Sequence, residues 1–421
     1  MRPRPINVSP KTALLFFLLF TSSFAVGQRP KWIATWTASP EAADLDPNEP
    51  LINLNDRTVR ERLRVTLGGR QIRIRLSNEC SSAPLLVGGV SVGVAQEPAS
   101  VVADSLRPVT FGGQAAILIP PGAPVLSDPV DFPIKNGSEI SISLYFPKHP
   151  SSVTWHALAL KRAVISERGD HTRDATIKGG KESDSSIFLS AVLVPVQANS
   201  HVIVAFGDSI VDGDGSTPEM DRNWPSDLFR RLERTHNGSQ FTVVNEGIAG
   251  NRLLSDGPVA SLGISALARF DRDALSVPGV TDIVLLEGTN DIGFPGAALG
   301  DLSLAPATTA PAVEDIIGAY RQLISRAHAH GIRAIGATIM PSEGVTIPGY
   351  HTEAKERMRQ VVNQWIRTSR AFDGVIDFDA VVRDPNHPSK LLPRLVSEDH
   401  LHPNDAGYQA MADAIDLSLF P

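Results

Sequence analysis

Cysteine is nearly missing: the 421-residue chain has one, Cys80. A single thiol closes no intramolecular disulfide and cannot supply a cysteine cluster for zinc or iron–sulfur. Positive charge is also short, with 39 Lys and Arg against 46 Asp and Glu and a net charge of −7. That balance is wrong for gripping phosphate backbones or anionic lipid, so no nucleic acid and no membrane partner is expected. Long apolar runs are absent. The best candidate, 13–20, is followed by Thr21, Ser22 and Ser23 and falls short of the roughly 20 residues a span needs. Internal repeats and low-complexity tracts are missing too. What is present is ample core material: 42% of residues are hydrophobic and 20% charged. This excludes a disordered chain, a collagen-like chain and a small disulfide scaffold. The length predicts two or three domains, and 33 Gly with 32 Pro predict many shaped turns.

The first segment has the form of an address. Arg2, Arg4 and Lys11 precede the short apolar run, and Ala25-Val26-Gly27 stand before Gln28. A charged region, a short apolar region and an A-x-G site predict a signal peptide over 1–27. The mature protein then begins near Gln28 and is secreted or periplasmic by bacterial export. The scarcity of cysteine suits that destination. Asn136-Gly137-Ser138 and Asn237-Gly238-Ser239 match the glycosylation acceptor pattern, which has meaning only in a eukaryotic host.

Two periods follow one another. Over 28–195 the pattern alternates, as in Gln71-Ile72-Arg73-Ile74-Arg75-Leu76 and Glu139-Ile140-Ser141-Ile142-Ser143-Leu144. These read as strands with one buried face and one polar face. Gly68-Gly69, Gly112-Gly113 and Pro120-Pro121-Gly122 punctuate them. The expectation is an antiparallel β-sandwich or jelly-roll-like domain. Over 196–421 short apolar strands (201–206, 241–245, 282–286, 332–339, 374–378) alternate with helical segments (224–236, 258–274, 313–329, 352–370, 405–417). This predicts an α/β domain with a flavodoxin-like, doubly wound, five-stranded parallel sheet. Ligands bind such a sheet beyond the carboxyl ends of its strands.

Those ends carry chemistry. The first strand runs into Gly207-Asp208-Ser209, the second into Gly247-Ile248-Ala249-Gly250-Asn251, and the third into Gly288-Thr289-Asn290-Asp291. Asp399-His400-Leu401-His402-Pro403 precedes the last helix. A serine hydroxyl needs a base to take its proton. His402 can be that base, and Asp399 can hold its other ring nitrogen. The N–H groups of Ser209 and Gly250 and the side-chain amide of Asn290 can form an oxyanion hole. Taken singly, each piece reads equally as a helix cap, a turn or an ordinary loop pair. The set at successive strand ends points to acyl transfer, with kcat/KM rising through a pKa of about 6–7.

The four pieces resemble the blocks of the SGNH hydrolases, also called GDSL esterases. The blocks are Val204-Ala205-Phe206-Gly207-Asp208-Ser209-Ile210, Asn245 through Asn251, Gly288 through Asp291, and Asp399 through His402-Pro403. The resemblance covers about half the chain. It implies the SGNH hydrolase fold, Ser209 as nucleophile, Gly250 and Asn290 as partners of Ser209 in the oxyanion hole, and Asp399 and His402 as the rest of the triad. It implies no metal and no organic cofactor. Ala34-Thr35-Trp36-Thr37-Ala38-Ser39-Pro40, then a sandwich, then such a domain, is similar to a bacterial subgroup linked to xylan esterases. The implied partner is an acylated carbohydrate or small ester, acetylxylan among them. Acyl transfer to a sugar hydroxyl and glycan binding by the sandwich are the alternatives.

Four features stand outside this reading. Glu287 precedes the third block and is read as the partner of an arginine. Asp212-Gly213-Asp214-Gly215-Ser216 resembles the start of a calcium loop, but Asn223 stands where glutamate belongs, so a solvated acidic loop is favoured. Trp32, Trp36 and Trp155 are read as core, and His328 and His330 as surface. The loops 292–310 and 341–350 are expected to wall the substrate pockets.

Overall fold

The computed structural model describes residues 1, 31–43, 53–196, 200–235 and 240–420. The expected signal peptide over 1–27 and the Asn237 acceptor site lie outside the described residues.

Alternation builds the front half. Its principal strands are β1 (Lys31–Thr37), β2 (Arg57–Arg64), β3 (Gly69–Ser77), β4 (Gly89–Glu97), β5 (Glu139–Phe146), β6 (Ala163–Arg168) and β7 (Leu189–Val196). One antiparallel sheet places β7 between β1 and β3. A second runs β6, β2, β5, β4, again antiparallel. Ile72, Ile74 and Leu76 of the first sheet and Ile140, Ile142 and Leu144 of the second are fully buried in one apolar cluster.

The supposedly polar face of β5 is not solvated. Ser141 and Ser143 are buried, and the fully buried Arg60 lies against Ser143. Its Nε donates to Ser143 Oγ (2.9 Å) and its guanidinium nitrogens to the Ala99, Ala175 and Asp174 carbonyls. Serine is small enough to leave room for the guanidinium, and the carbonyls satisfy its donors.

The back half is the expected parallel sheet. Its strands are β8 (His201–Gly207), β9 (Phe241–Gly247), β10 (Val280–Leu286), β11 (Arg333–Ala337) and β12 (Gly374–Ile376), in the order β9-β8-β10-β11-β12. All four pairings are parallel. The helices are α1 (Ser209–Asp212), α2 (Trp224–Glu233), α3 (Ala266–Phe270), α4 (Thr289–Gly293), α5 (Val313–Ala329), α6 (Glu353–Thr368), α7 (Phe378–Val382) and α8 (Asp405–Ala414). Residues 202–206 are buried on both faces, as a covered parallel strand requires. Val202, Val204 and Phe206 share a cluster with Ile316, Tyr320, Leu323, Val362 and Ile366 of α5 and α6. Ile203 and Ala205 face Trp224, Leu228, Tyr408 and Met411 of α2 and α8.

The helix expected over 258–274 is broken. A 3-10 turn, Ala260–Leu262, stops at Gly263 (φ 72°). Helix α3 then continues as one π turn, Asp271–Leu275. The structure also explains Asn223: it is the N-cap of α2, accepting from Ser226 N at 3.0 Å.

The halves share more than a linker. The apolar cluster of the two front sheets runs on without a break into the α5–α6 face of the parallel sheet. Strand β1 lies along β9, the edge strand of that sheet, covering an edge that would otherwise invite pairing. Thr37 Oγ1 donates to Asn245 O (2.9 Å), Thr242 Oγ1 donates to Ala34 O (3.1 Å), and Ala34 N donates to Pro278 O (2.9 Å). From the π turn, Arg272 donates to Pro40 O (2.8 Å) and reaches the half-buried Cys80 Sγ (3.8 Å). Among the described residues no helix is long and apolar enough to cross a membrane.

Candidate active site

Ser209 is the first residue of α1, set just past the carboxyl end of β8. This is the strand flanked by β9 and β10, where chain direction around the sheet reverses and ligands gather. Asp208 caps the helix, its Oδ1 accepting from Ile210 N at 2.9 Å. The hydroxyl of Ser209 lies 2.8 Å from His402 Nε2, across 193 positions of sequence. His402 Nδ1 lies 2.5 Å from Asp399 Oδ2.

An ionised carboxylate only accepts, so Nδ1 carries the proton and Nε2 keeps its lone pair for the serine hydroxyl. Asp399 is fixed in turn. Its Oδ1 accepts from Ser397 Oγ (2.6 Å), Leu401 N (2.9 Å) and His402 N (3.0 Å). Burial works to raise the Asp399 pKa, but the hydrogen bond from His402 and its charge hold the carboxyl well below the usual carboxylate range. For His402, burial works to lower the pKa. The bond to Asp399 and the charges of Asp214, Asp399 and Asp208 outweigh it and raise the value above 6.5.

Asn290, in α4 past the end of β10, has its amide orientation set at both ends. Its Nδ2 donates to Asn251 O (2.9 Å), and its Oδ1 accepts from Tyr350 OH (2.8 Å). One Nδ2 hydrogen is left to point elsewhere. Gly250 is half-buried in the loop after β9; a Cβ there would come within 2.7 Å of the Leu262 side chain. The neighbouring Asp291 ties this loop to α4, accepting from Leu253 N (2.6 Å) and Leu254 N (2.9 Å). All five expected residues, Ser209, Gly250, Asn290, Asp399 and His402, therefore stand on loops or first helical turns at the carboxyl rim, and three of them form one hydrogen-bonded chain.

Beneath the rim lies a buried arginine that the motif blocks do not contain. Arg269 is fully buried. It donates to Gly207 O (2.7 Å), Glu246 O (2.9 Å) and Asn251 Oδ1 (2.8 Å), and its guanidinium stacks under Phe206. Glu287 is its partner at 3.5 Å and is itself fully buried. The arginine-pair reading of Glu287 holds, and a rim carboxylate does not. Burial and the nearby Asp208 push the Glu287 carboxyl well up, against the pull of Arg269.

The front half reaches this layer too. Ser39 Oγ donates to Glu246 Oε2 (2.6 Å) and accepts from Arg269 Nη1 (3.2 Å). His156 Nε2 lies 3.1 Å from Asp212 Oδ1 in α1. Burial works to lower the His156 pKa, but Asp212 and Glu41 beside it raise it to about 10. Sequence reasoning missed His156, Arg269 and Tyr350. Only the unusual company of Glu287 hinted that an arginine was required.

The tryptophans divide. Trp155 is buried, whereas Trp32 and Trp36 are half-buried, and Arg73 lies over the Trp32 ring. His328 and His330 are exposed as expected. In the loop expected to wall a pocket, Tyr350 packs edge-on against Phe294.

Residues 205–410 match the model of the GDSL-like Lipase/Acylhydrolase family. Among solved structures the chain is similar to LAE5, an alpha/beta hydrolase enzyme from the metagenome of Lake Arreo, Spain (21% identity over 53% of this chain and 96% of that one, TM-score 0.38). It is similar to Axe2, an acetylxylan esterase from Geobacillus stearothermophilus (19% identity over 53% and 96%, TM-score 0.38). It is also similar to the aryl esterase of M. Smegmatis (16% identity over 51% and 96%, TM-score 0.39). No curated protein matches. The chain carries, over residues 205–410, a domain of the GDSL-like lipase/acylhydrolase family.

Proposed function

We propose that the protein is an exported serine esterase that removes short acyl groups, acetyl above all, from plant polysaccharide such as acetylxylan. The observation that carries the catalytic part is the unbroken chain Ser209 Oγ–His402–Asp399 at 2.8 and 2.5 Å. His402 Nε2 takes the hydroxyl proton as the oxygen attacks the ester carbonyl. The N–H groups of Ser209 and Gly250 and the free Nδ2 hydrogen of Asn290 receive the oxyanion. His402 returns the proton to the departing alcohol oxygen, leaving an acyl-Ser209, and water activated by the same imidazole releases the acid. Asp399 holds the ring and stays ionised throughout. The Ser209 N–H is free for this task because the first turn of a helix has no intrahelical acceptor.

The acetylated-polysaccharide part rests on the front-half resemblance around Trp36, and export rests on the first 27 residues. Acetate release from acetylated xylan, measured for wild type and Ser209→Ala, tests the catalytic reading. Wild type should release acetate, with the variant at least about 10³-fold slower. Equal release by both would falsify it. N-terminal sequencing of protein recovered from the culture medium or periplasm should start near Gln28.

A further inference from the structure

The acidic loop after α1 has a place at this site. Asp214 sits between Gly213 (φ 121°) and Gly215 (φ 85°). Its N–H donates to Ser209 O (3.0 Å), and its carbonyl accepts from Tyr408 OH (2.6 Å). A Cβ on Gly215 would come within 2.9 Å of His402 Cβ and 2.7 Å of Pro403 O. The loop is therefore pinned against the histidine on both sides. It delivers the Asp214 carboxylate to 3.6 Å from His402 Nε2, with 43% of the side chain still open to solvent. Among the described residues no other cation lies within ion-pair distance of it. It is held in place without being used by the fold.

Position decides what that carboxylate meets. In the proposed reaction the departing alcohol oxygen comes within about 3 Å of Nε2 to collect its proton. A hydroxyl on the adjacent carbon then lies one further hydrogen-bond length away, within reach of a carboxylate anchored 3.6 Å from the same nitrogen. A carboxylate accepts from a hydroxyl strongly and repels another anion.

We propose that Asp214 determines leaving-group specificity: it accepts a hydrogen bond from the hydroxyl next to the ester oxygen, selecting esters of vicinal diols, as in sugars and polyols, and rejecting anionic leaving groups. This rests on Ser209 and His402 acting as described above. It adds a recognition element that the motif blocks do not contain. A site that hydrogen-bonds a substrate hydroxyl discriminates against the analogue lacking it. The open side of Asp214 makes the ratio smaller than in a sealed pocket.

The test uses the full chain and two substrates: a methyl xyloside monoacetate with a free neighbouring hydroxyl, and its analogue deoxygenated at that neighbour. Wild type should favour the hydroxylated ester in kcat/KM by about tenfold or more. In Asp214→Ala the ratio should fall toward one, mainly through a higher KM for the hydroxylated ester. Asp214→Asn keeps an acceptor oxygen and should retain part of the ratio. It should also move the acid limb of the pH profile downward, leaving Asp399 and Asp208 as the remaining carboxylates facing His402. A wild-type ratio near one, or a ratio unchanged in Asp214→Ala while both rates fall together, overturns the assignment. If wild type and Ser209→Ala hydrolyse p-nitrophenyl acetate equally, the esterase reading itself falls, and this inference with it.

Discussion

His402 is placed among three carboxylates: Asp399 on Nδ1, Asp214 beside Nε2, and Asp208 beneath. They overcome the burial that would lower its pKa and lift it above 6.5. In the proposed mechanism His402 must be neutral to accept the serine proton, so raising its pKa moves the onset of activity toward alkali. The acid limb of kcat/KM should therefore lie above the ordinary imidazole value of 6.5. Asp399 titrates far below that limb and should not contribute to it. A pH-rate series with chemistry rate-limiting checks this; a limb below 6.5 would contradict the arrangement. Asn290 supplies a second residue-level prediction. Asn290→Ala should cost about 10²–10³ in kcat. Tyr350→Phe frees the amide to rotate but removes only a hydrogen bond to Oδ1, so its loss should stay within about tenfold. Steady-state kinetics on one short-chain ester distinguishes the two.

Among the elements, Arg269 holds the bases of two rim segments, bonding to Gly207 O at the end of β8 and to Glu246 O and Asn251 Oδ1 around the end of β9. Arg269→Met leaves the buried carboxylate of Glu287 without its guanidinium and removes one of the two that face Asp273, which keeps Arg272. Breaking such a network by removing one partner costs about 3–5 kcal/mol, which urea unfolding should register. How much of this could be read beforehand follows from the range of each signal. The strand ends were legible because a covered parallel strand is a short apolar run and the reactive residues follow it directly. The helix α5 was legible to its last residue because Ile316, Tyr320, Leu323, Ile324 and Ala327 share one face. The segment 258–274 was misread because its composition suits a helix while Gly263 breaks the backbone. Ser143 was misread as solvated because nothing local tells that Arg60 will lie over it. Arg269 itself belongs to no period and no motif, so only packing reveals it.

At the scale of the whole molecule, the front half and the sheet that carries Ser209 meet through charge as well as apolar surface. His156, from the short strand Thr154–His156, pairs with Asp212 of the helix that begins at Ser209. Its pKa is raised from 6.5 to about 10. A raised value in the folded state means the pair stabilises fully below pH 6.5 and is lost as pH climbs through about 10. His156→Gln should thus lower the melting temperature most below about pH 6.5, progressively less as pH rises, and least above pH 10. A melting series at several pH values reads that difference directly. The front half thus shares both core and charge pairing with the sheet that carries Ser209. One further consequence comes from Cys80, where Arg272 reaches across from the other half and burial pushes the thiol up to about 11. Such a sulfur should be sluggish toward maleimide while the two halves stay closed. Its alkylation rate is a ready-made gauge of how often they part, with no engineered label required.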